Sequence, residues 1–199
     1  MKKEAIVNLE HLADNDLLLL FANGDAGAAR ILTSRLMPTI FRHAYHRIYN
    51  QADAEDITQE AFMRLWKISP NWQQQQVQVS SWLYRVTENL CIDRLRKKKT
   101  SYNIEALDNE LEDNRPTADT MIQEKERLNA LNEALATLPE RQALAIRLRH
   151  INGLSNIEIT EIMRLSDKAV QSLLARGKRA LKARLIGQKT ALGYDYGTA

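Results

Sequence analysis

The sequence predicts an all-α protein, two small helical domains joined by a flexible linker. Three observations predict it. Apolar residues recur every three or four positions over long stretches, whereas strand-like alternation is absent and glycines are sparse, 7 in 199 residues. Asp, Ser, Pro and Asn-Gly signals bracket those stretches as helix starts and stops. Near the middle the periodicity fades, acids (Glu105, Asp108, Glu110, Glu112, Asp113, Asp119) take over and Pro116 appears. The expected boundaries are a first domain over 1–99, an acidic linker over 100–121, a second domain over 122–187 and a loose tail over 188–199.

Asp16 is placed to cap a first helix, Leu17–Ala22, which Asn23-Gly24 stops. Asp25 caps a second that carries Ile31, Leu32, Leu36, Ile40, Phe41 and Ile48, with Pro38 inside it as a kink. Asp53 caps a third, apolar along Ile57, Ala61 and Leu65, whose early Glu55 and Asp56 suit the helix dipole. Pro70 and a run of glutamines make Ser69–Gln78 a loop. Ser80 or Ser81 then caps a fourth helix reaching Lys99. Leu83, Val86 and Leu90 fall on one side of it, flanked by Thr87 and Cys91, while Arg85, Asn89 and Arg96 fall on the other. One face is built to be buried and the other to touch something anionic. That pattern points to nucleic acid.

The second domain starts near Ile122, with Leu128, Leu131, Leu135 and Leu138 at helical spacing up to Pro139, the expected first residue of the next helix. That helix, Glu140–Ile151, carries Ala143, Leu144, Ile146 and Leu148 and ends at Asn152-Gly153. Ser155-Asn156-Ile157-Glu158 matches a capping box, in which Ser and Glu satisfy each other's orphan amides. The short helix it opens ends near Arg164, and Ser166 caps a last helix, Asp167–Leu185. There Val170, Leu173, Leu174, Gly177 and Leu181 face inward. Lys168, Gln171, Ser172, Ala175, Arg179 and Lys182 face out, with Arg176 at the edge. Two helices on a tight turn, the second with a basic outer face, make a helix-turn-helix pattern.

Composition narrows the function. With 44% hydrophobic and 27% charged residues the chain is a folded, soluble type. Runs such as Leu17–Phe21 are too short to cross a bilayer, and the N-terminus lacks a signal peptide's apolar core. With the single Cys91, this gives a cytoplasmic expectation. The net charge is only +3, with cations gathered at Arg94–Lys99 and Arg176–Arg184, so the chain alone should hold DNA weakly and bind with help. No phosphate-cradling glycine loop, nucleophile motif or metal-plus-base pattern is present, so neither enzyme activity nor a cofactor is expected. His43 and His46 lack a third ligand, which argues against metal. Trp66 and Trp82 read as core, and Trp72, in its polar loop, as a candidate stacking residue.

Three motifs, in order, resemble one family. Asp53-Ala54-Glu55-Asp56-Ile57-Thr58-Gln59-Glu60-Ala61-Phe62-Met63-Arg64-Leu65-Trp66-Lys67 resembles the core-polymerase-binding segment of sigma-70-family factors, in the extracytoplasmic-function (ECF) subgroup. Trp82-Leu83-Tyr84-Arg85-Val86, Asn89-Leu90 and Ile92-Asp93-Arg94-Leu95-Arg96 resemble that group's −10 promoter segment. Leu138-Pro139-Glu140-Arg141-Gln142 and Gly153-Leu154-Ser155 resemble its −35-reading domain.

The resemblance implies that 1–99 is sigma region 2 and 122–187 sigma region 4. Asp53, Glu55, Asp56, Gln59, Glu60 and Phe62 would dock on the clamp helices of the largest subunit of core RNA polymerase. Asn71 and Trp72, in a loop running to Val79 that would hold an extruded base, with Arg85, Asn89, Arg94, Arg96, Lys97 and Lys98, would meet the −10 element. Lys168, Gln171, Ser172, Ala175, Arg176 and Arg179 would read the −35 element. An anti-sigma factor, in many members membrane-bound, is implied as a further partner. Three departures stand out: Arg164 where the turn usually has a small residue, Thr160 for the common alanine at the helix crossing, and uncharged Gln171 and Leu173 where many members are basic.

The expected function is therefore a dissociable initiation subunit that directs core polymerase to promoters. The alternative is a stand-alone helix-turn-helix regulator that binds a palindrome as a dimer. No heptad seam for a dimer is evident.

Overall fold

The computed structural model describes residues 9–73, 77–102 and 130–186. All regular structure among these residues is helical. The linker expected over 100–121 (apart from its first three residues), the helix start near Ile122 and the tail over 188–199 lie outside them. The chain forms two compact units, Met1–Ala106 and Leu107–Thr160 with Leu165–Ala199, the four residues Glu161–Arg164 falling to the first.

The first unit is built around α2 (Ala26–Ile48), whose buried Ala28, Leu32, Leu36, Ile40, Ala44 and Ile48 repeat every four residues. Helices α1 (Asp14–Ala22), α3 (Gln51–Ile68) and α4 (Val79–Tyr102) all pack against it. The Asp25 carboxylate caps α2 as expected, accepting from Gly27 N at 2.8 Å and Ala28 N at 3.1 Å. Helix α2 continues through Pro38, whose missing N–H falls on the exposed side where water can serve the Ser34 carbonyl. Asn23-Gly24 closes α1, with Asp25 N donating to Leu20 O at 3.0 Å and Gly24 at φ +99°.

Three starts differ from the sequence reading. Helix α1 begins at Asp14, so Asp16 lies in its first turn and does not cap it. Helix α3 is capped by Asn50, whose side chain accepts from Asp53 N at 2.9 Å, which leaves the Asp53 carboxylate for other partners. Helix α4 starts at Val79, and neither Ser80 nor Ser81 caps it. Val79 N donates to Asn15 Oδ1 of α1 at 2.9 Å, and Asn15 Nδ2 donates to Val77 O at 3.4 Å. The expected loop over Ser69–Gln78 also contains a 3₁₀ turn, Ser69–Asn71.

The buried stripe of α4 is Leu83, Tyr84, Thr87, Glu88 and Cys91, so Val86 and Leu90 are only half-buried at its edge. Glu88 is the unforeseen member. Its Oε1 lies 3.0 Å from Arg47 Nε and its Oε2 3.2 Å from His43 Nε2, both on α2. Burial alone would push this carboxyl up, but the facing His43 and Arg47 outweigh it and lower it to about 2.

In the second unit, residues 130–136 form α5, followed by α6 (Glu140–Ile146), a π-helical turn (Arg147–Ile151), α7 (Asn156–Met163) and α8 (Asp167–Ile186). Leu135, Leu138, Ala143 and Ile146 are its core, with Leu131, Ile151, Leu174, Ala180 and Leu181 packed on it. Pro139 precedes α6 as its N-cap (ψ 135°), one position earlier than expected. Gly177 sits where α8 crosses α6: a Cβ there would stand 2.9 Å from Ile146 Cγ1.

Two outcomes follow. Replacing Glu88 by Gln should lower stability by about 3 kcal/mol at neutral pH, because a carboxyl held near 2 when folded titrates near 4.3 when unfolded. That contribution is intact above about pH 5 and is lost as pH falls toward 2, so denaturation midpoints of the two proteins should converge on acidification. Gly177→Ala gains about 1 kcal/mol of helix propensity but overpacks the α6–α8 crossing by about 1–3 kcal/mol, so urea unfolding should show a net loss.

Candidate functional site

The outer face of α3 follows from its amphipathic pattern. With Ile57, Ala61 and Leu65 buried, Glu55, Asp56, Gln59 and Met63 are exposed and Glu60 half-exposed, in one row. Glu55 accepts from Gln51 Nε2 at 2.8 Å and Glu60 from Arg64 Nε at 2.8 Å, pairings one turn apart that leave both carboxylates at the surface. A groove of about 740 Å³ between α2 and α3 runs beside this row, with Met37, Pro38 and Phe41 among its lining and Glu55 and Gln59 on the α3 side.

Two residues grouped with this row point inward. Phe62 is 3% exposed and meets Trp66 at a tilt of 47°, ring centroids 5.9 Å apart, and Trp66 in turn meets Phe21 at 4.7 Å. Its spacing from Leu65 and Ile57 already places it on the apolar side. Asp53 is turned to α4: its Oδ1 lies 2.6 Å from Arg94 Nη1 and its Oδ2 2.6 Å from Lys98 Nζ. Neither offers itself to a docking partner.

On α4, Asn89, Arg96 and Lys97 are exposed and Arg85 half-buried, all away from the buried stripe. Arg96 has Asp93 at 4.0 Å, a loose contact at the surface. Asn71 is exposed at the end of the 3₁₀ turn. Trp72 is half-buried and meets Trp82 edge-on at 6.0 Å, so one ring edge is covered, and its indole N–H is buried without an acceptor among the described residues.

The helix-turn-helix is locally determined. Ser155 N and Oγ lie 2.8 Å and 2.7 Å from Glu158 Oε2, and Glu158 N donates back to Ser155 Oγ at 3.3 Å, the reciprocal capping box. Arg164 closes α7 in the left-handed region (φ 52°), with Leu165 N donating to Thr160 O at 3.1 Å. A small residue is favoured here for that reason, and Arg164 adopts the same turn at a cost. The Thr160 hydroxyl turns back on its own helix to Ile157 O at 2.6 Å. Ser166 starts α8, its Oγ accepting from Ala169 N at 3.4 Å.

On α8, Lys168, Gln171, Ser172, Ala175, Arg176 and Arg179 are all exposed. Their side chains lie along the helix: Gln171 Nε2 donates to Asp167 Oδ2 at 2.6 Å and Arg176 Nη2 to Ser172 Oγ at 2.9 Å. The exposed Lys178 and Lys182 widen the same basic strip. Unlike the acidic row of α3, this strip is electrostatically suited to anions.

The supporting residues Asn15, Asn50, His43 and Glu88 were not found by sequence reasoning. Glu88 was the one within reach, since it shares its helical stripe with Tyr84 and Cys91 and must be buried if they are.

Residues 32–100 match the family Sigma-70 region 2, and residues 128–181 match Sigma-70, region 4. The chain is 32% identical over 171 residues to the ECF RNA polymerase sigma factor SigW of Bacillus subtilis, covering 81% of this chain and 91% of the relative. It belongs to the ECF subgroup of the sigma-70 family. A second sigma factor, SigM of Mycobacterium tuberculosis, is 31% identical over 175 residues, covering 88% and 85% of the two chains. Among solved structures, CnrH in complex with the cytosolic domain of CnrY shares the fold at TM-score 0.69 and 23% identity, covering 88% of this chain and 99% of that one. The sigma factor RpoE of Bartonella quintana, in complex with the anti-sigma factor NepR, does so at 0.58 and 20%, covering 77% and 93%. The chain is thus an ECF sigma factor, and the dimeric-regulator alternative is not favoured. Among the described residues, no helix is long and apolar enough to cross a membrane.

Arg164 gives a test of the sigma factor's helix-turn-helix. Arg164→Gly removes about 1–2 kcal/mol of left-handed strain and adds about 0.5–1 kcal/mol of chain entropy, a net gain of about 0.5–1 kcal/mol. The midpoint of urea unfolding should rise for Gly and stay put for Arg164→Ala.

Proposed function

We propose that this sigma factor docks on the clamp of core RNA polymerase through Glu55, Asp56, Gln59 and Glu60, and that the apolar groove beside them takes part. Residues 1–99 act as region 2 and 122–187 as region 4. Arg85, Asn89, Arg96 and Lys97 on the outer side of α4, Arg94 and Lys98 on its α3 side, and Asn71 and Trp72 engage the −10 element, and α8 reads the −35 major groove through Lys168, Gln171, Ser172, Ala175, Arg176 and Arg179. What supports this most is one observation: the acidic surface lies on α3 and the basic ones on α4 and α8. An acidic face repels DNA and is available to a protein; the basic faces are complementary to phosphate.

Each DNA contact is weak alone, and tethering to polymerase makes the second intramolecular. The purified chain should therefore direct specific initiation by core enzyme while binding promoter DNA feebly without it. An anti-sigma protein, of the kind NepR is to RpoE in one of the solved complexes, would hold it inactive by covering these surfaces.

Run-off transcription with core enzyme tests the reading directly: no added promoter choice would refute it. Reversing Glu55, Asp56 and Glu60 together to Lys should abolish assembly with core while leaving helical content intact. Arg176→Ala should cost about 1–3 kcal/mol of discrimination at one −35 position, seen as relaxed preference in a competition among promoter variants.

A further inference from the structure

Arg94 and Lys98, two of the cations assigned to the −10 element, lie on the α3 side of α4 and are already in contact with acids of that helix. Both oxygens of Asp53 are engaged, Oδ1 by Arg94 Nη1 and Oδ2 by Lys98 Nζ, each at 2.6 Å. The second terminal nitrogen of Arg94 lies 3.6 Å from Asp56 Oδ2. Two cations and two carboxylates cancel, so the α3-facing side of this end of α4 presents little net charge.

The arrangement is also asymmetric. The Asp53 side chain is 13% exposed, while those of Arg94 and Lys98 are 36% and 39% exposed. The backbone of Asp53 is fixed in the first turn of α3 by the Asn50 cap, and its carboxylate is the most buried member of the cluster. A phosphate can reach both cations, but it must exchange with a carboxylate instead of with water. Counterion release, which drives non-specific DNA binding, is then forfeited at both positions.

We propose that Asp53 is a positioning residue that withholds Arg94 and Lys98 from phosphate in the free chain, and so suppresses binding to DNA away from polymerase. The inference rests on the reading of α4 as a DNA-facing helix and gives Asp53 a role different from polymerase docking. An ordinary structural ion pair predicts the opposite sign: loss of Asp53 would cost stability and gain nothing toward DNA.

The experiment is fluorescence anisotropy of the full chain with a labelled duplex lacking promoter elements, between about 50 and 200 mM salt. Asp53→Asn should bind about tenfold more tightly at the low-salt end, with a log–log salt slope steeper by about one to two, one unit per phosphate gained. Adding Arg94→Ala and Lys98→Ala should erase that gain. Asp56→Asn, at an exposed position, should show a smaller gain of the same sign, about threefold, and it decides the matter if Asp53→Asn does not fold. Unchanged or weaker DNA binding by a folded variant overturns the proposal. Promoter binding by holoenzyme carrying Arg94→Ala and Lys98→Ala separates the two failures. If it is undiminished, the DNA-facing reading of α4 falls; if it drops while Asp53→Asn gains nothing, only the role of Asp53 falls.

Discussion

A carboxylate sealed between two helices fixes the geometry of the first unit. Glu88 is 5% exposed, and water cannot stabilise its charge there, so it stays ionised only while His43 and Arg47 of α2 face it. That requirement admits one rotation of α4 about its axis, the rotation that also buries Leu83, Tyr84, Thr87 and Cys91. Everything on the far side of α4 inherits its direction from this constraint. Asn89 and Arg96 are exposed because Glu88 cannot be.

The same logic separates opposite charges on the surface. Helix α3 buries its apolar side against α2 and presents carboxylates, whereas α8 buries Val170 and Gly177 and presents a basic strip. A net charge of +3 hides this division, because the sum over the chain averages surfaces with different tasks. At the pairing of Asp53 and Asp56 with Arg94 and Lys98, the acidic helix and the basic helix neutralise each other.

What could be read from the sequence was whatever is local. The Asp25 cap, the Asn23-Gly24 stop and the Ser155–Glu158 box each involve residues within a few positions, so spacing alone specifies them. The exposed faces of α3 and α8 were equally legible, since helical periodicity sets them. Contacts between distant segments were not. Val79 finds its acceptor 64 residues earlier in Asn15, and Ser80 and Ser81 looked like caps only because their competitor was remote. Asp53 has the composition of an N-cap, but Asn50 lies three residues nearer the start and takes that place. The family motif runs through Phe62 and groups it with exposed neighbours, although periodicity puts it inside.

Asn15 also bears on where the folding unit begins. The Sigma-70 region 2 match opens at residue 32, within α2, and takes in none of α1. A fragment trimmed to that match would leave the buried Val79 amide with no acceptor and strip Phe21 from the face of Trp66. The matched span is therefore shorter than the span this bundle needs in order to close, and the surplus at its front is a mortise for the fourth helix.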